Sequence, residues 1–257
     1  MIRNLTLGNH AIEILETGSH YGNMNTARAF YPDDYTPQDK WSEFLQRRIK
    51  VGKDFGFDGR KMFMADQEHR RGSWFMIDQD YVEAHPEGWS DIPEDILIVT
   101  HKTPGVVIGH PVADCPVVMA FALQNKVTAI GHCSADLVDI KMPMLIVDAL
   151  QDVSHCSDED IKIYVSACAG KSWTYDKYPA WAKDDEVWAD VITLGEDGLY
   201  HIDLKKAVLK QLRKRNVGDI IVSPVDTITD SGFYSNSAAR LGNSEKKGRN
   251  FAGAFFR

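Results

Sequence analysis

The chain has 257 residues, of which 44% are hydrophobic and 10% are aromatic. This composition is enough to bury a large core and excludes a disordered chain. The net charge of -8 disfavours nonspecific binding to DNA or RNA, which depends on clustered Lys and Arg. The basic stretch from Lys205 to Arg215 lies on a predicted helix and is interpreted as a solvated face.

The sequence pattern leads us to expect neither a signal peptide nor a membrane span. The start, Met1-Ile2-Arg3-Asn4-Leu5, has no apolar signal-peptide block. The longest strongly apolar run, from Pro116 to Leu123, is far shorter than the about 20 residues of a membrane span. We therefore expect a cytoplasmic protein without a membrane partner. The four cysteines form no C-x-x-C pair and are expected to be reduced thiols; they are Cys115, Cys133, Cys156 and Cys168.

The first part of the chain predicts two strands and a helix. The strands run from Ala11 to Glu16 and from Lys61 to Met64. A helix is expected to begin at Thr36-Pro37, because proline favours the first helical position. Apolar residues then recur at helical spacing at Trp41, Phe44, Leu45 and Ile49.

The second part is rich in predicted strands, with two helices among them. The strands are Ile96 to Thr100, Val106 to Ile108, Pro116 to Leu123, Val127 to Ile130, Ile161 to Val165, Asp219 to Ser223 and Phe251 to Phe256. A hairpin turn is expected at Asn125-Lys126. One helix is predicted from Leu137 to Leu150, with Pro143 near its start or kinking it. Another is capped by Asp203 and ends at Asn216 to Gly218. A single α+β domain over residues 1–257 accounts for this pattern.

Three short segments that carry polar ligand-type residues each lie at the edge of an apolar run. They are Gln67-Glu68-His69, Asp114-Cys115-Pro116 and Gly131-His132. His69, Cys115 and His132 together offer two imidazoles and one thiolate. That set is one ligand short of a closed tetrahedral zinc site, and the remaining position leaves room for water or substrate. Copper could occupy the same ligands.

Two other interpretations of these residues stay open. Cys115 could be a nucleophile with His132 or His69 as its base and Asp114 orienting that base. A thiolate would then need a lowered pKa. Asp114 could instead accept the ring N–H of a metal ligand. Taken singly, a histidine is usually hydrogen-bonded and a strand cysteine is usually a small buried hydrophobe.

The order of these motifs resembles the laccase-domain proteins of the bacterial YfiH type, once called multicopper polyphenol oxidases. Their patterns Q-x-H and I-x-H correspond to 67–69 and 130–132, and A-D-C-x-P corresponds to 113–116, where proline directly follows the cysteine instead of coming one residue later. Further matches, from residue 18 to residue 257, are Gly18-Ser19 with Asn23-Met24-Asn25, Arg48 before Gly56, Asp203-Leu204, Asp226-Thr227, Phe233-Tyr234-Ser235-Asn236 and Gly248-Arg249. The resemblance implies mixed β-sheets layered with flanking helices, metal ligands at His69, Cys115 and His132, and an active-site arginine at Arg48.

This chain departs from the family pattern at several positions. The G-W-R-G that follows the second family histidine is replaced by Cys133-Ser134-Ala135-Asp136. The I-G-P segment is Val165-Ser166-Ala167-Cys168, and the cysteine of C-T is Asp226. Because phosphate binding needs donors and positive charge, the lost arginine bears on phosphate binding. The candidate replacements are Lys141, Lys171, Arg240 and Arg249.

The resemblance implies a purine nucleoside phosphorylase with adenosine deaminase activity, acting on a nucleoside and phosphate with Zn²⁺ as cofactor. His69, Cys115 and His132 would hold the metal, Arg48 would bind phosphate or substrate, and Asp114 would orient a ligand or transfer a proton. A multicopper oxidase is disfavoured, because nine histidines without one H-x-H supply too few imidazole ligands. A Cys115-dependent hydrolase of cell-wall or amide substrates and a non-catalytic ligand-binding descendant are the alternatives.

Overall fold

The structure is a computed structural model that describes residues 5–6, 12–24, 41–65, 72–183 and 185–257. The strands are β1 Leu5–Thr6, β2 Ile12–Glu16, β3 Met62–Ala65, β4 Trp74–Met76, β5 Trp89–Ile92, β6 Ile96–Thr100, β7 Val107–Val112, β8 Val117–Ala122, β9 Val127–His132, β10 Ile161–Val165, β11 Trp173–Tyr175, β12 Ile192–Leu194, β13 Tyr200–Ile202, β14 Asp219–Val222 and β15 Asn250–Phe256. The α-helices are α1 Trp41–Phe55, α2 Gln79–Ala84, α3 Ala135–Asp139, α4 Met142–Ser154, α5 Asp185–Trp188, α6 Leu204–Leu212 and α7 Asn236–Arg240.

The described strands form two six-stranded sheets and one small sheet. The first sheet has the order β1-β2-β15-β7-β3-β5, the second β14-β10-β8-β9-β6-β4, and the small sheet β11-β13-β12. Strand β3 pairs in parallel with β5 and β7, whereas β15 pairs antiparallel with β2 and β7. The predicted α+β domain with mixed sheets is therefore confirmed.

Strand β8 shows why the central strands are apolar throughout. Val117, Met119 and Phe121 belong to the core between the two large sheets. The alternate residues Val118 and Ala120 belong to the core beneath α3, α4 and α6. Because successive side chains of a strand point to opposite faces, a strand buried on both sides is apolar at every position.

The outer face of each large sheet is covered by helices. Phe44 and Val51 of α1 pack with Leu15 and Phe255 of the first sheet. On the other side, α3, α4 and α6 cover the second sheet. The result is four layers, in which the two sheets lie between helices. Polar site residues are consequently expected at the strand ends.

Most strand predictions are confirmed to within two residues, and the predicted β7 is extended to Val112. The predicted helix from Leu137 to Leu150 is helical over most of its length, but it is divided into α3 and α4 by a break at residues 140–141. Lys141 adopts the left-handed conformation with φ of 67°. Pro143 then lies in the first turn of α4, where its missing N–H costs no helical hydrogen bond.

Helix α6 begins as predicted and ends earlier. The side chain of Asp203 accepts a hydrogen bond from the Lys206 amide at 2.9 Å. The helix ends at Leu212 rather than near Asn216, and the following residues form turns. The predicted start of α1 at Thr36-Pro37 lies outside the described residues. Within the described part of the chain, no helix has both the length and the apolarity needed to cross a membrane.

Arg215, just beyond α6, joins three segments of the helical layer. Its Nε and Nη2 donate to the carboxylate of Asp158 at 2.9 and 2.8 Å. Its Nη1 donates to Asp148 at 2.6 Å, and Nη2 also donates to Gln151 at 2.7 Å. The planar guanidinium thus binds α4 and the segment before β10 at once.

Replacing Arg215 with Ala is expected to lower the free energy of unfolding by about 2 kcal/mol, since several hydrogen bonds to charged groups are lost together. Urea denaturation measures the change. The control is Lys162→Ala, which removes a pair with Asp219 whose side chains are 38% and 61% exposed. That exposed pair is expected to contribute less than about 0.5 kcal/mol. Equal effects of the two substitutions would contradict this account.

Candidate functional site

The segment that carries Cys115 crosses from one large sheet to the other. It follows β7 of the first sheet and precedes β8 of the second. His132 is the last residue of β9 and is the register partner of Val117 in β8. The amide of Cys133 donates to the carbonyl of Pro116 at 2.9 Å. The structure therefore brings Cys115 and His132, two predicted site residues, to the same end of the sandwich.

His132 is directed towards the space between the sheets. Ile130, two positions earlier on β9, belongs to the core between the sheets. Gly131, between them, lies against Ile146 of the covering helix α4. The His132 ring is 6.0 Å, centroid to centroid, from the ring of His110 on β7. Two imidazoles from different sheets thus meet at this end of the inter-sheet layer.

Asp114 anchors the backbone that carries Cys115. Its φ of 74° is left-handed, a conformation that is uncommon for residues other than glycine. Its Oδ1 accepts from the hydroxyl of Thr227 at 2.9 Å, and its Oδ2 accepts from the amide of Ser237 at 2.7 Å. Its carbonyl accepts from the amide of Ala169 at 2.7 Å. These contacts are those of an orienting group, and proton transfer by Asp114 stays a prediction.

The thiol of Cys115 is held in its neutral form. The residue is partly exposed, yet burial of the sulfur raises its pKa to about 12, and the negative charge of Asp114 adds to the shift. The positive charge of Arg249 opposes it. A free thiolate nucleophile requires the reverse shift. A metal ligand loses its proton when the metal binds, so the raised pKa is compatible with that role.

Arg249 is the cation that the structure brings near Cys115. It is 4% exposed and directly precedes β15. Its Nη1 donates to the carbonyl of Gly248 at 2.9 Å. Among the four candidates that the sequence offered for the missing family arginine, Arg249 is the one whose charge acts on the Cys115 thiol.

Arg48 has the contacts of a buried structural residue. It is fully buried on α1, and its Nε donates to the carbonyl of Gly59 at 3.0 Å. Its Nη2 donates to the carbonyls of Arg60 and Met62 at 3.1 and 2.7 Å. Burial lowers its pKa to about 10. These hydrogen bonds join α1 to the segment that enters β3. A role for Arg48 at a substrate stays a prediction.

The segment that replaces the family G-W-R-G begins a helix. Ser134 is the N-cap of α3, and its hydroxyl accepts from the amide of Leu137 at 3.4 Å. Cys133 and Ala135 are buried in the core beneath the helices. The residues after His132 therefore serve local structure and packing, and the positive charge of the missing arginine is not replaced within this segment.

Two of the three expected metal ligands lie among the described residues. Within the ranges that the structure describes, no group of three or more His, Cys, Asp or Glu side chains could hold a metal ion. His69, with Gln67 and Glu68, lies outside those ranges. Cys115 and His132 supply one thiol and one imidazole, which are donors that suit zinc or copper. Two of the three expected ligands are therefore of types that suit the expected metal.

His110, whose ring neighbours that of His132, is not among the residues predicted from the sequence. It is 1% exposed, and neither ring nitrogen has a hydrogen-bond partner of normal geometry among the described residues. Burial lowers its pKa to about 4, although the Ile130 carbonyl opposes the shift, so the ring is neutral. The sequence signal that could have identified His110 is a polar residue within an apolar strand. Its neighbours Ile108 and Val112 face the same core between the sheets.

Comparisons with known proteins agree with this architecture. The profile of a family described as multi-copper polyphenol oxidoreductase laccase matches residues 19–256. YfiH of Bacillus licheniformis has a TM-score of 0.72 at 18% identity, covering 96% of this chain and 93% of YfiH. YlmD of Geobacillus stearothermophilus has a TM-score of 0.73 at 17% identity, covering 100% of both chains.

The DUF152 protein NMB0706 of Neisseria meningitidis has a TM-score of 0.67 at 12% identity, covering 100% of this chain and 98% of that one. At these identities the three structures support the fold alone. A search of curated proteins found no match.

Replacing His110 with Leu is expected to raise the free energy of unfolding by about 1 kcal/mol, because an apolar group of similar volume removes a buried polar one. His110→Asn is the control, since it keeps a polar group at the same position and should bring no gain. Urea denaturation of both variants gives the comparison. A Leu variant that is less stable than the wild type would show that the imidazole has a stabilising partner.

Proposed function

The chain belongs to the multi-copper polyphenol oxidoreductase laccase family, and we propose that it is a metal-dependent purine nucleoside enzyme. This is the activity implied by the resemblance of its motifs to the YfiH type. Its substrates would be adenosine-type nucleosides, which it cleaves with phosphate, deaminates, or both. The observation that carries the proposal is the meeting of Cys115 and His132 at one end of the sandwich. These are two of the three ligand positions that the motifs designate.

We propose that His69 completes the ligand set with Cys115 and His132 and that the metal is Zn²⁺. Strand β3 ends at Ala65, four residues before His69, and runs parallel to β7. Both strands therefore end on the side where the 114–116 segment leaves β7. A zinc ion bound there would act as a Lewis acid and lower the pKa of a bound water to about 7. Copper is the alternative metal for the same donors.

The proposed enzyme would carry out one or both of two reactions. Phosphorolysis forms a bond from a phosphate oxygen to the ribose C1′ and breaks the bond to the purine, which leaves with a proton. Deamination forms a bond from a water oxygen to the purine C6 and releases ammonia. Asp114 would hold Cys115 in place, and Arg249 would attract the phosphate anion. We assign anion binding to Arg249, because its positive charge acts on the Cys115 thiol. Arg48 instead uses its guanidinium to bind the backbone carbonyls of Gly59 and Met62.

The chemistry of Cys115 separates this proposal from a thiol hydrolase. A hydrolase would use a thiolate, whereas burial and Asp114 keep the pKa of this thiol near 12. All four cysteines are free thiols, as a reducing cytoplasm would keep them, and we propose that location. Nucleoside and phosphate are the proposed partners.

The test is a product assay on protein whose zinc content has been measured. Adenosine is incubated with and without phosphate, and the products are separated by chromatography. Adenine formed only with phosphate, or inosine formed without it, is the expected result. Cys115→Ala is expected to abolish either product, because the thiolate ligand is lost. Cys156→Ala, a free and partly exposed thiol on another segment, is the matched control and should retain activity.

The absence of both products from wild-type protein that carries one equivalent of zinc would refute the adenosine assignment. If metal-free protein hydrolyses an amide substrate and Cys115→Ala does not, the result would favour the thiol hydrolase instead.

Zinc affinity is expected to rise with pH. The folded protein raises the pKa of the Cys115 thiol to about 12, so zinc must displace its proton throughout the neutral range. Between pH 7 and 8.5 the Kd should fall about tenfold for each unit of pH. Competition with a chromophoric chelator measures the constant. Cys115→Ala should bind more weakly and lose this slope, and a wild-type Kd independent of pH would exclude Cys115 as a ligand.

A further inference from the structure

The loop between β14 and α7 contacts the site through the buried hydroxyl of Thr227. Thr227 is 1% exposed, and its Oγ1 donates to Oδ1 of Asp114 at 2.9 Å. Its own amide donates to the carbonyl of Cys168 at 3.1 Å. The hydroxyl is thereby fixed beside the residue that precedes Cys115. Asp114 has a left-handed backbone with φ of 74°, and the hydrogen bond from Thr227 holds its side chain in place.

A buried lysine holds that loop in shape. Lys246 is 8% exposed, and burial lowers its pKa. Its Nζ donates to the carbonyls of Thr227 at 2.8 Å and Ile228 at 3.1 Å, and also to that of Asp230. An ammonium group has three donors, and each of the three finds a carbonyl of one short turn. The turn that presents the Thr227 hydroxyl is therefore built around the ammonium group of Lys246.

We propose that Thr227 and Lys246 are positioning residues of the site, which act through Asp114 to fix the place of the Cys115 sulfur. Neither is a catalytic residue, since their contacts are with Asp114 and with backbone carbonyls. The inference rests on the proposed function, because the position of the Cys115 sulfur matters if that sulfur binds the metal. Its physical content, the placement of Cys115, can be measured in metal-free protein.

The chain offers matched variants for each residue. Thr227→Val removes the hydroxyl and keeps the side-chain volume, whereas Thr227→Ser keeps the hydroxyl. Lys246→Met removes the ammonium group and keeps much of the apolar stem. Lys247→Met, at the exposed neighbouring position, controls for the loss of one positive charge near the site.

The first measurement is the alkylation rate of each cysteine in metal-free protein at pH 8, resolved by mass spectrometry. Loss of one hydrogen bond of about 1 kcal/mol raises the population of displaced Cys115 about fivefold. Thr227→Val and Lys246→Met should therefore be alkylated at Cys115 about fivefold faster than wild type. Thr227→Ser and Lys247→Met should stay within about twofold. The rate at buried Cys133 should not change, which separates local displacement from general unfolding.

The second measurement is zinc affinity by chelator competition. Groups that orient metal ligands typically change metal affinity about tenfold or more, so Thr227→Val should bind zinc about tenfold more weakly and Thr227→Ser should restore affinity. Unchanged Cys115 alkylation and zinc affinity in Thr227→Val would overturn the proposal, as would equal acceleration at Cys133. If Lys246→Met does not fold, Thr227→Val alone decides. Failure of the adenosine assay with these results intact would refute the nucleoside assignment and leave the positioning role standing.

Discussion

Burial on both faces of the central strands is the constraint on which the rest of the structure depends. Strands β8 and β9 lie in the middle of one sheet, with a second sheet on one side and helices on the other. Side chains within such strands are mostly apolar, since an unpaired polar group there is costly. Polar groups that perform chemistry are thus confined to strand ends, where Cys115 and His132 lie. Exceptions among the described strands include the imidazole of His110 on the inner face of β7 and the buried hydroxyl of Thr128 in β9.

The Asp114 carboxylate links this strand-end site to distant parts of the chain. It joins the segment before β8 to Thr227 and to the start of α7 at Ser237. Arg249, which follows Thr227 and Ser237 in the chain, acts through its charge on the Cys115 thiol. The site is therefore assembled from segments separated by more than a hundred residues, and the C-terminal quarter of the chain determines how the Cys115 sulfur is held.

Local pattern explains what could be predicted from the sequence. Cys115 and His132 were predicted as site residues because each lies beside or ends an apolar run that forms a strand. The break between α3 and α4 was missed, because the apolar spacing continues across Lys141 and the left-handed turn has no glycine to mark it. The small third sheet was missed as well, because its three strands of three residues are too short for a period to be read. Thr227 and Lys246 act on distant groups, so no local signal identifies them.

The central claim is that Cys115, His132 and His69 bind one metal ion at the end of the sandwich. X-ray absorption spectroscopy at the zinc edge tests it most directly, using protein loaded with one equivalent of zinc under reducing conditions. The account predicts one sulfur neighbour and the multiple-scattering signature of two imidazoles, with the sulfur absent in Cys115→Ala and one imidazole lost in His69→Ala. A zinc ion surrounded only by oxygen and nitrogen in the wild-type protein would contradict it.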